Sequence, residues 1–162
     1  MGYRIFDRRF TTHWSSYITQ SALASLAVLL ALVVLRMQNF VVVASLAATA
    51  FTVFAMPHSV IASTRNVVGS HVIALSCGSL FARIPMESLA GKDAICALVV
   101  GVCMLLMAVT NTEHPPAAGS ALGIVIAGSS LQAPLGVALG VGILAVTHHV
   151  LRPYMRDLIK PH

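Results

Sequence analysis

Charged residues interrupt this chain so rarely that they leave five long stretches with no charge at all. The enclosed lengths are 26, 28, 17, 19 and 38 residues, for the intervals Arg9–Arg36, Arg36–Arg65, Arg65–Arg83, Asp93–Glu113 and Glu113–Arg152. One helix needs about 20 mostly apolar residues to cross a bilayer. The spacing of the charges therefore predicts a helical membrane protein.

The composition supports the same class. Of 162 residues, 57% are hydrophobic and 9% are charged, against about a quarter charged in soluble domains. Ten Lys and Arg against five Asp and Glu leave a net charge of +5, and the basic residues flank the uncharged stretches. This balance excludes a disordered chain, a nucleic-acid-binding domain and a typical soluble enzyme.

The uncharged stretches predict an all-α bundle with about four full transmembrane helices and two short or broken ones. The full helices are expected at Thr19–Leu35, Val67–Ala82, Ala94–Thr110 and Pro134–Leu151. The shorter segments are Phe40–Ala55 and Pro115–Gly128, one in each half of the chain. Such interrupted segments point to a binding site near the bilayer midplane. Because the order of span, interrupted segment and span occurs twice, the pattern also suggests an internal repeat.

Basic residues lie at both ends of the chain, three within residues 1–18 and three within residues 152–162. Since Lys and Arg near spans favour the cytoplasm, we expect a cytoplasmic segment at 1–18, a transmembrane domain at 19–151 and a cytoplasmic tail at 152–162. The expected location is a prokaryotic plasma membrane. The number of crossings is then even, four if the short helices are re-entrant and six if they cross. The placement of Arg83 and Lys92 favours four.

Neither a metal centre nor a catalytic site is predicted. The cysteines, Cys77, Cys96 and Cys103, form no C-x-x-C pair and are interpreted as small apolar residues in helices. Glu113 and His114 are adjacent, so they do not share a helical face, and no H-E-x-x-H motif is present. We therefore expect no cofactor and no enzymatic activity.

The last predicted span carries two further features. Gly136 and Gly140 form a small-xxx-small pattern, which lets helices approach closely. It is interpreted as packing within one bundle, and the alternative is a seam between copies of the chain. His148 and His149 are attributed to placement at the membrane interface.

A first candidate binding motif surrounds His114-Pro115-Pro116. Proline suits the first turn of a helix, so the motif predicts a loop that leads into a helix N-terminus. The free N–H groups and the positive potential of such an end attract anions. Thr110, Thr112 and Ser120 would add hydroxyl donors, and Asn111 would add amide donors. The alternative is a rigid turn that only separates two helices.

A second candidate motif contains His58, Arg65, Asn66 and His71. Arg65 offers a planar, permanently charged fork that suits an anion, and two histidines flank it. The alternative is a structural ion pair between Arg65 and Glu113.

Both motifs resemble patterns of the HPP family of integral membrane proteins. The first resembles the signature that names the family, through His114-Pro115-Pro116-Ala117 with Thr110 and Thr112 before it and Gly119 and Ala121-Leu122 after it. The family's other pattern is matched in order by Ala44–Ala50, Pro57-His58-Ser59, Arg65-Asn66 and Gly69-x-His71. The resemblance implies a bundle of four transmembrane helices and, from plant and cyanobacterial members, transport of nitrite.

The expected function is transport of a small monovalent anion by a channel or carrier, with nitrite supplied by the resemblance. Arg65 would provide charge, and three histidines, His58, His71 and His114, would donate hydrogen bonds or carry protons. Ser45, Thr49, Asn66, Thr110 and Thr112 would complete the site. The expected partners are the anion, the lipid bilayer and, if the glycine pattern is a seam, further copies of the chain. The alternative is a non-transporting structural or sensory membrane subunit packed against a partner.

Overall fold

The computed structural model describes residues 8–35, 40–85 and 88–159, and these ranges form a helical bundle without strands. The helices are α1 (Arg8–Leu35), α2 (Phe40–Ala55), α3 (Thr64–Phe81), α4 (Leu89–Thr110), α5 (Pro116–Ala127) and α6 (Gln132–Leu151). Short 3₁₀ turns follow α2 at Val60–Ala62 and α6 at Arg152–Tyr154. The predicted all-α class is confirmed.

The two short helices agree closely with the sequence prediction, whereas the other four begin earlier than predicted. Helix α2 has the predicted bounds, and α5 is one residue shorter at each end. In the other helices, polar residues continue the helix beyond the apolar segment, and α1 extends back to Arg8 with a kink at His13. Residues 8–18, predicted as part of a separate N-terminal segment, are therefore helical.

Only two helices in the described ranges are clearly long and apolar enough to span a bilayer, not the four that were predicted. They are α4 and α6, the latter extended to Tyr154 by the 3₁₀ turn. Helix α3 is long enough, but Arg65, Asn66 and His71 lower its hydrophobicity. Helices α2 and α5 are apolar but short, with 16 and 12 residues.

Local capping chemistry sets where several helices begin and end. The Ser63 side chain accepts a hydrogen bond from the backbone N–H of Asn66 and so caps α3, and Ser88 caps α4 in the same way. Asn111 ends α4 in the left-handed conformation, with φ of 50°, which asparagine tolerates better than most residues. Pro116 occupies the first turn of α5, where its missing N–H has no cost.

The helices alternate in direction between two opposite faces of the bundle. One of them, here called the terminal face, is formed by residues 55–65, 110–115 and 152–159. There the backbone N–H of Leu158 donates to the carbonyl of Ala55, and Arg65 donates to the carbonyl of Thr110. At the opposite face the Ser129 hydroxyl donates to the carbonyl of Ala82. Both ends of the described chain therefore lie on the terminal face.

The contacts between helices repeat when α1, α2 and α3 are exchanged for α4, α5 and α6. Helix α1 packs on α2 and α6, and α4 correspondingly packs on α5 and α3. The same exchange turns the α2–α6 contact into the α5–α3 contact. It leaves the α2–α5 and α3–α6 contacts unchanged. The contact between α5 and α6 departs from this symmetry. Because each half has three helices, the second half runs in the opposite direction to the first.

Glycines allow α5 to lie close to its neighbours at the centre of the bundle. A Cβ atom added at Gly123 would lie 2.6 Å from Val42 Cγ2 of α2, and one added at Gly78 would lie 3.0 Å from the Ala121 carbonyl oxygen of α5. On α6, a Cβ added at Gly140 would lie 2.7 Å from Leu46. The predicted packing of the α6 glycine pattern within one bundle is confirmed at Gly140.

The outer surface of the bundle is apolar. Exposed large hydrophobic side chains line α1, α4 and α6. They include Leu26, Leu29, Val33, Leu98, Met104, Leu105, Val109, Leu135, Leu139, Val146 and Val150. Soluble monomers rarely expose apolar patches of this extent. The surface therefore fits a lipid environment.

Candidate functional site

Polar side chains are concentrated between α2, α3 and α5, within the half of the bundle nearest the terminal face. This polar cluster consists of Ser45, Thr49, Asn66, Ser70, His71, Thr112, His114 and Ser120, each at most 8% exposed. Burying polar groups among apolar helices costs free energy unless they are hydrogen-bonded. The cluster therefore needs a structural or functional explanation.

The cluster extends from the terminal face towards the middle of the bundle. Ser45 lies ten residues before the end of α2, which places it about 15 Å along the helix axis from that end. His71 lies seven residues after the start of α3, at a depth of about 10 Å. The polar groups thus reach roughly half-way through the bundle.

His114 connects three parts of the chain just before α5 begins. Its ring is fully buried, and Nδ1 lies 2.7 Å from the carbonyl oxygen of Ile61. A carbonyl oxygen only accepts, so Nδ1 carries the proton and donates it. Nε2 lies 3.2 Å from Thr49 Oγ1 of α2. The double proline therefore holds a histidine that bridges the 3₁₀ turn after α2 and α2 itself.

Hydroxyl groups extend this network from His114 towards α5. Thr49 Oγ1 lies 3.0 Å from the Ser45 carbonyl oxygen, and Ser45 Oγ lies 2.7 Å from Ser120 Oγ. Ser45 Oγ also donates to the Val42 carbonyl at 2.9 Å, so Ser120 is the donor of the pair. Each of these hydroxyls can turn its proton to another acceptor.

His71 presents an unpartnered nitrogen inside the cluster. Nδ1 lies 2.8 Å from the carbonyl oxygen of Val67 and donates to it. Nε2 is buried and has no hydrogen-bond partner among the residues that the structure describes. The centroid of this ring lies 5.4 Å from that of His114, with the planes tilted by 48°. Buried nitrogens without partners are rare in folded proteins and require a reason.

Asn66 fixes the loop that carries His114. Its amide nitrogen donates to the Glu113 carbonyl at 3.1 Å, and its oxygen accepts from Ser63 Oγ at 3.1 Å. Beside it, Thr112 Oγ1 lies 2.7 Å from Thr110 Oγ1. Thr110 itself is exposed, so it joins the cluster only through Thr112.

Arg65 lies outside the polar cluster. Its side chain is exposed and donates to the Thr110 carbonyl at 3.1 Å, at the C-terminal end of α4 where the helix dipole favours a cation. Successive helical residues point about 100° apart, so the inward direction of Asn66 leaves Arg65 on the outside. Glu113 is exposed and meets Asn66 through its backbone, and the alternative ion pair with Arg65 is absent from the described contacts.

His58 also lies outside the cluster. It is exposed, its backbone N–H donates to Asp157 Oδ1 at 3.0 Å, and its Nε2 donates to the Met155 carbonyl at 3.1 Å. The segment between α2 and α3 runs along the terminal face, and this brings His58 to the C-terminal residues rather than to His71 or His114.

His148 is a buried histidine that the sequence interpretation missed. Its ring is 1% exposed and Nε2 donates to the Pro57 carbonyl at 3.1 Å, so its attribution to the membrane interface is wrong. The spacing of Gly140, Leu144 and His148, four residues apart on α6, indicates the inward-facing stripe. His149, the next residue, is exposed.

Three cavities of the described bundle lie outside the polar cluster. One of about 410 Å³ is lined by His13, Tyr17 and Arg156, one of about 310 Å³ by Ser15, Thr19 and Met155, and one of about 250 Å³ by Tyr17, Gln20 and Phe54. Within the cluster, Ser45 Oγ pairs with Ser120 Oγ and His114 Nε2 lies next to Thr49 Oγ1, while other side chains bond to backbone carbonyls. Among the described residues, no three His, Cys, Asp or Glu side chains are grouped to hold a metal ion.

The order of these motifs along the chain matches a known family model. The model described as "HPP, transmembrane region" matches residues 9–156, which is most of the chain and includes the whole polar cluster. The chain belongs to the HPP family. This HPP protein is accordingly a membrane protein, and the resemblance noted from its two motifs is confirmed.

Curated relatives of this HPP protein are transmembrane proteins of Dictyostelium discoideum. One is 34% identical over 85 residues, which is 52% of this chain and 30% of the relative. Another is 29% identical over 109 residues, which is 67% of this chain and 35% of the relative. The chain thus matches about a third of the length of each. No solved structure matches the chain significantly. The expectation of a prokaryotic plasma membrane gains no support from these relatives.

Proposed function

We propose that this HPP protein transports a small monovalent anion, nitrite in the first instance, across the membrane as a channel or carrier and without a catalytic step. The observation that carries the proposal is the polar cluster: hydroxyl, amide and imidazole groups buried half-way into a bundle whose exterior is apolar. Polar residues at such depth are costly and usually mark a substrate pathway. The identity of the anion rests on the resemblance to family members.

The repeated arrangement of the helices supports transport. Two halves of three helices run in opposite directions, and their short middle helices, α2 and α5, pack against each other. Ser45 and Ser120 meet at this contact, with Oγ atoms 2.7 Å apart. Transporters built from inverted repeats place their substrate at such an interface of interrupted helices. The two hydroxyls there would turn their O–H groups towards an anion, Ser45 away from the Val42 carbonyl and Ser120 away from Ser45.

Arg65 serves, in this proposal, as an attracting charge at the entrance and not as a ligand. It is exposed on the terminal face, while the adjacent Asn66 belongs to the cluster. A positive charge at the mouth of a cleft raises the local anion concentration and the rate of encounter. His58 and Thr110 lie at the same face and, in this proposal, line the entrance beside Arg65.

The alternating helix directions favour six crossings with both termini in the cytoplasm. In the described ranges, three basic residues, Arg65, Arg152 and Arg156, lie at the terminal face and two, Arg83 and Lys92, lie at the opposite face. Lys and Arg near spans favour the cytoplasmic side. Helices α2 and α5 are short, and they would cross where the bilayer thins locally or where flanking residues snorkel rather than turn back.

The decisive experiment is uptake into proteoliposomes. The purified protein is reconstituted and tested with nitrite, nitrate, formate and chloride, against protein-free vesicles. We expect nitrite uptake above background, reduced at least several-fold by Ser45→Ala combined with Ser120→Ala and unchanged by Ser76→Ala, an exposed serine on α3. Folded protein that moves none of these anions would contradict transport and would favour the non-transporting subunit.

A further inference from the structure

The hydrogen bonds of His71 determine what its free nitrogen can do. The Val67 carbonyl accepts from both Ser70 Oγ at 3.0 Å and His71 Nδ1 at 2.8 Å. Nδ1 must therefore carry a proton in every state that keeps this bond. In the neutral ring, Nε2 is then a bare lone pair, which accepts hydrogen bonds but donates none.

Nδ1 of His114 must also carry a proton, but Nε2 of this ring has a hydroxyl group within hydrogen-bond distance. Its Nδ1 donates to Ile61, so its neutral Nε2 is also an acceptor, and Thr49 Oγ1 lies within hydrogen-bond distance of it. The two rings are 5.4 Å apart. With both rings neutral, this part of the cluster presents lone pairs that repel an anion. Protonation of His71 would convert Nε2 into a charged N–H donor with no competing partner.

A fixed positive charge is missing from the described members of the cluster. Arg65 of α3 is exposed, and Glu113, ahead of α5, is exposed as well. Helix α4 carries Lys92 and Asp93 at its first turns near the opposite face and the uncharged Cys103 in its buried face, while α6 carries His148 and His149 near its end. His114 is thus the titratable group nearest to His71. A buried anion needs a compensating charge.

We propose that the polar cluster binds its anion together with one proton, which His71 takes up on Nε2, so that transport is an electroneutral co-transport of anion and proton. The inference rests on the proposed function and specifies its coupling ion. The balance is simple: one proton adds to the Nε2 lone pair, the resulting N–H donates to one anion, and both leave together on the other side.

The test measures proton and nitrite movement together in proteoliposomes with a pH-sensitive dye in the lumen. Uptake above that of protein-free vesicles, which corrects for diffusion of nitrous acid through lipid, should rise up to about tenfold for each unit of acidification outside. The lumen should acidify by one proton for each nitrite. A potential set with potassium and valinomycin should leave the rate unchanged.

Variants test whether His71 is the residue that couples proton movement to nitrite movement. His71→Gln should abolish the stimulation by outside acid, whereas His149→Gln, an exposed histidine of α6, should retain it. Nitrite uptake that follows the membrane potential and carries no protons would overturn the inference while leaving the proposed function intact, and this measurement on the unaltered protein does not depend on the folding of any variant. Folded His71→Gln protein with full proton coupling would also overturn it. Absence of uptake of nitrite, nitrate, formate and chloride alike would contradict the proposed function itself.

Discussion

At the scale of single residues, His114 holds the loop before α5 to two other segments. We expect His114→Ala to lower the free energy of unfolding by about 2 kcal/mol or more, because it removes two hydrogen bonds and leaves a buried cavity. Thermal melting in detergent would measure the loss, and His149→Ala on the exposed side of α6 is the matched control. Equal melting temperatures for the two variants would contradict a structural role for His114.

The exposed position of Arg65 makes a second prediction. Arg65→Gln should cost less than about 1 kcal/mol, since an exposed contact contributes little. Adding Glu113→Gln should change the stability additively, to within about 0.5 kcal/mol. Melting curves for the two single variants and the double variant would show this. Recovery of stability in the double variant would instead indicate the ion pair that the geometry lacks.

The sequence indicated which polar residues to consider better than it indicated where in the bundle each of them lies. Of the nine candidate residues, the structure brings together Ser45, Thr49, Asn66, His71, Thr112 and His114, because each faces the bundle interior. Arg65 and His58 were predicted to lie in the site because they fall between long uncharged stretches. That position in the sequence does not determine which side of a helix or loop faces inward. Ser120 was named as a donor of the first motif but left out of the site. Ser70 and His148 were missed, although the helical spacing of Val67, Ser70 and Ala74 on α3 contained a usable signal.

At the scale of the helices, the packing of α2 against α5 depends on Gly123. Gly123→Ala would place Cβ 2.6 Å from Val42 Cγ2 and 3.0 Å from Val42 N, and such overpacking costs about 1–3 kcal/mol. Gly142→Ala on α6 is the matched control, since nothing lies within 4 Å of its added Cβ and alanine is the better helix former. Melting temperatures that fall equally for both would contradict the close contact.

The bounds of the helices were predictable where proline and glycine mark them. Phe40–Ala55 ends before Pro57, and α5 lies between Pro116 and Gly128, so both short helices were located almost to the residue. The beginnings of α1 and α4 were not located, because both helices begin in polar segments. The prediction counted only the apolar residues of each stretch and so excluded those segments. Ser88 as a cap marked the true start of α4.

At the scale of the whole molecule, the direction of the helices predicts which residues share a side of the membrane. With native cysteines replaced, an impermeant maleimide added to intact cells should label Ser130→Cys at the opposite face and Ser88→Cys beside it. Thr64→Cys at the terminal face should react only after permeabilisation. The same accessibility for all three would contradict the alternating bundle, while the reverse pattern would invert its orientation.

The internal repeat was visible in the sequence only as an order of elements. Two triplets of span, short segment and span are present, but the pairing of α1 with α6 and of α2 with α5 depends on contacts between segments far apart in the chain. No local pattern encodes those contacts. The sequence could therefore suggest a repeat but not show that α2 and α5 form its centre.

The junction between α1 and residues 155–158 constrains the order in which the bundle assembles. The buried amide of Gln20 bonds to the backbone of Arg156, 136 residues later, and the Tyr17 hydroxyl donates to the Leu158 carbonyl, 141 residues later. A ribosome therefore makes α1 long before these partners exist. Until then, the only partner of the Gln20 amide among the described residues is the Phe54 carbonyl of α2. Helix α1 thus completes its contacts only after α6 and residues 155–158 have been made.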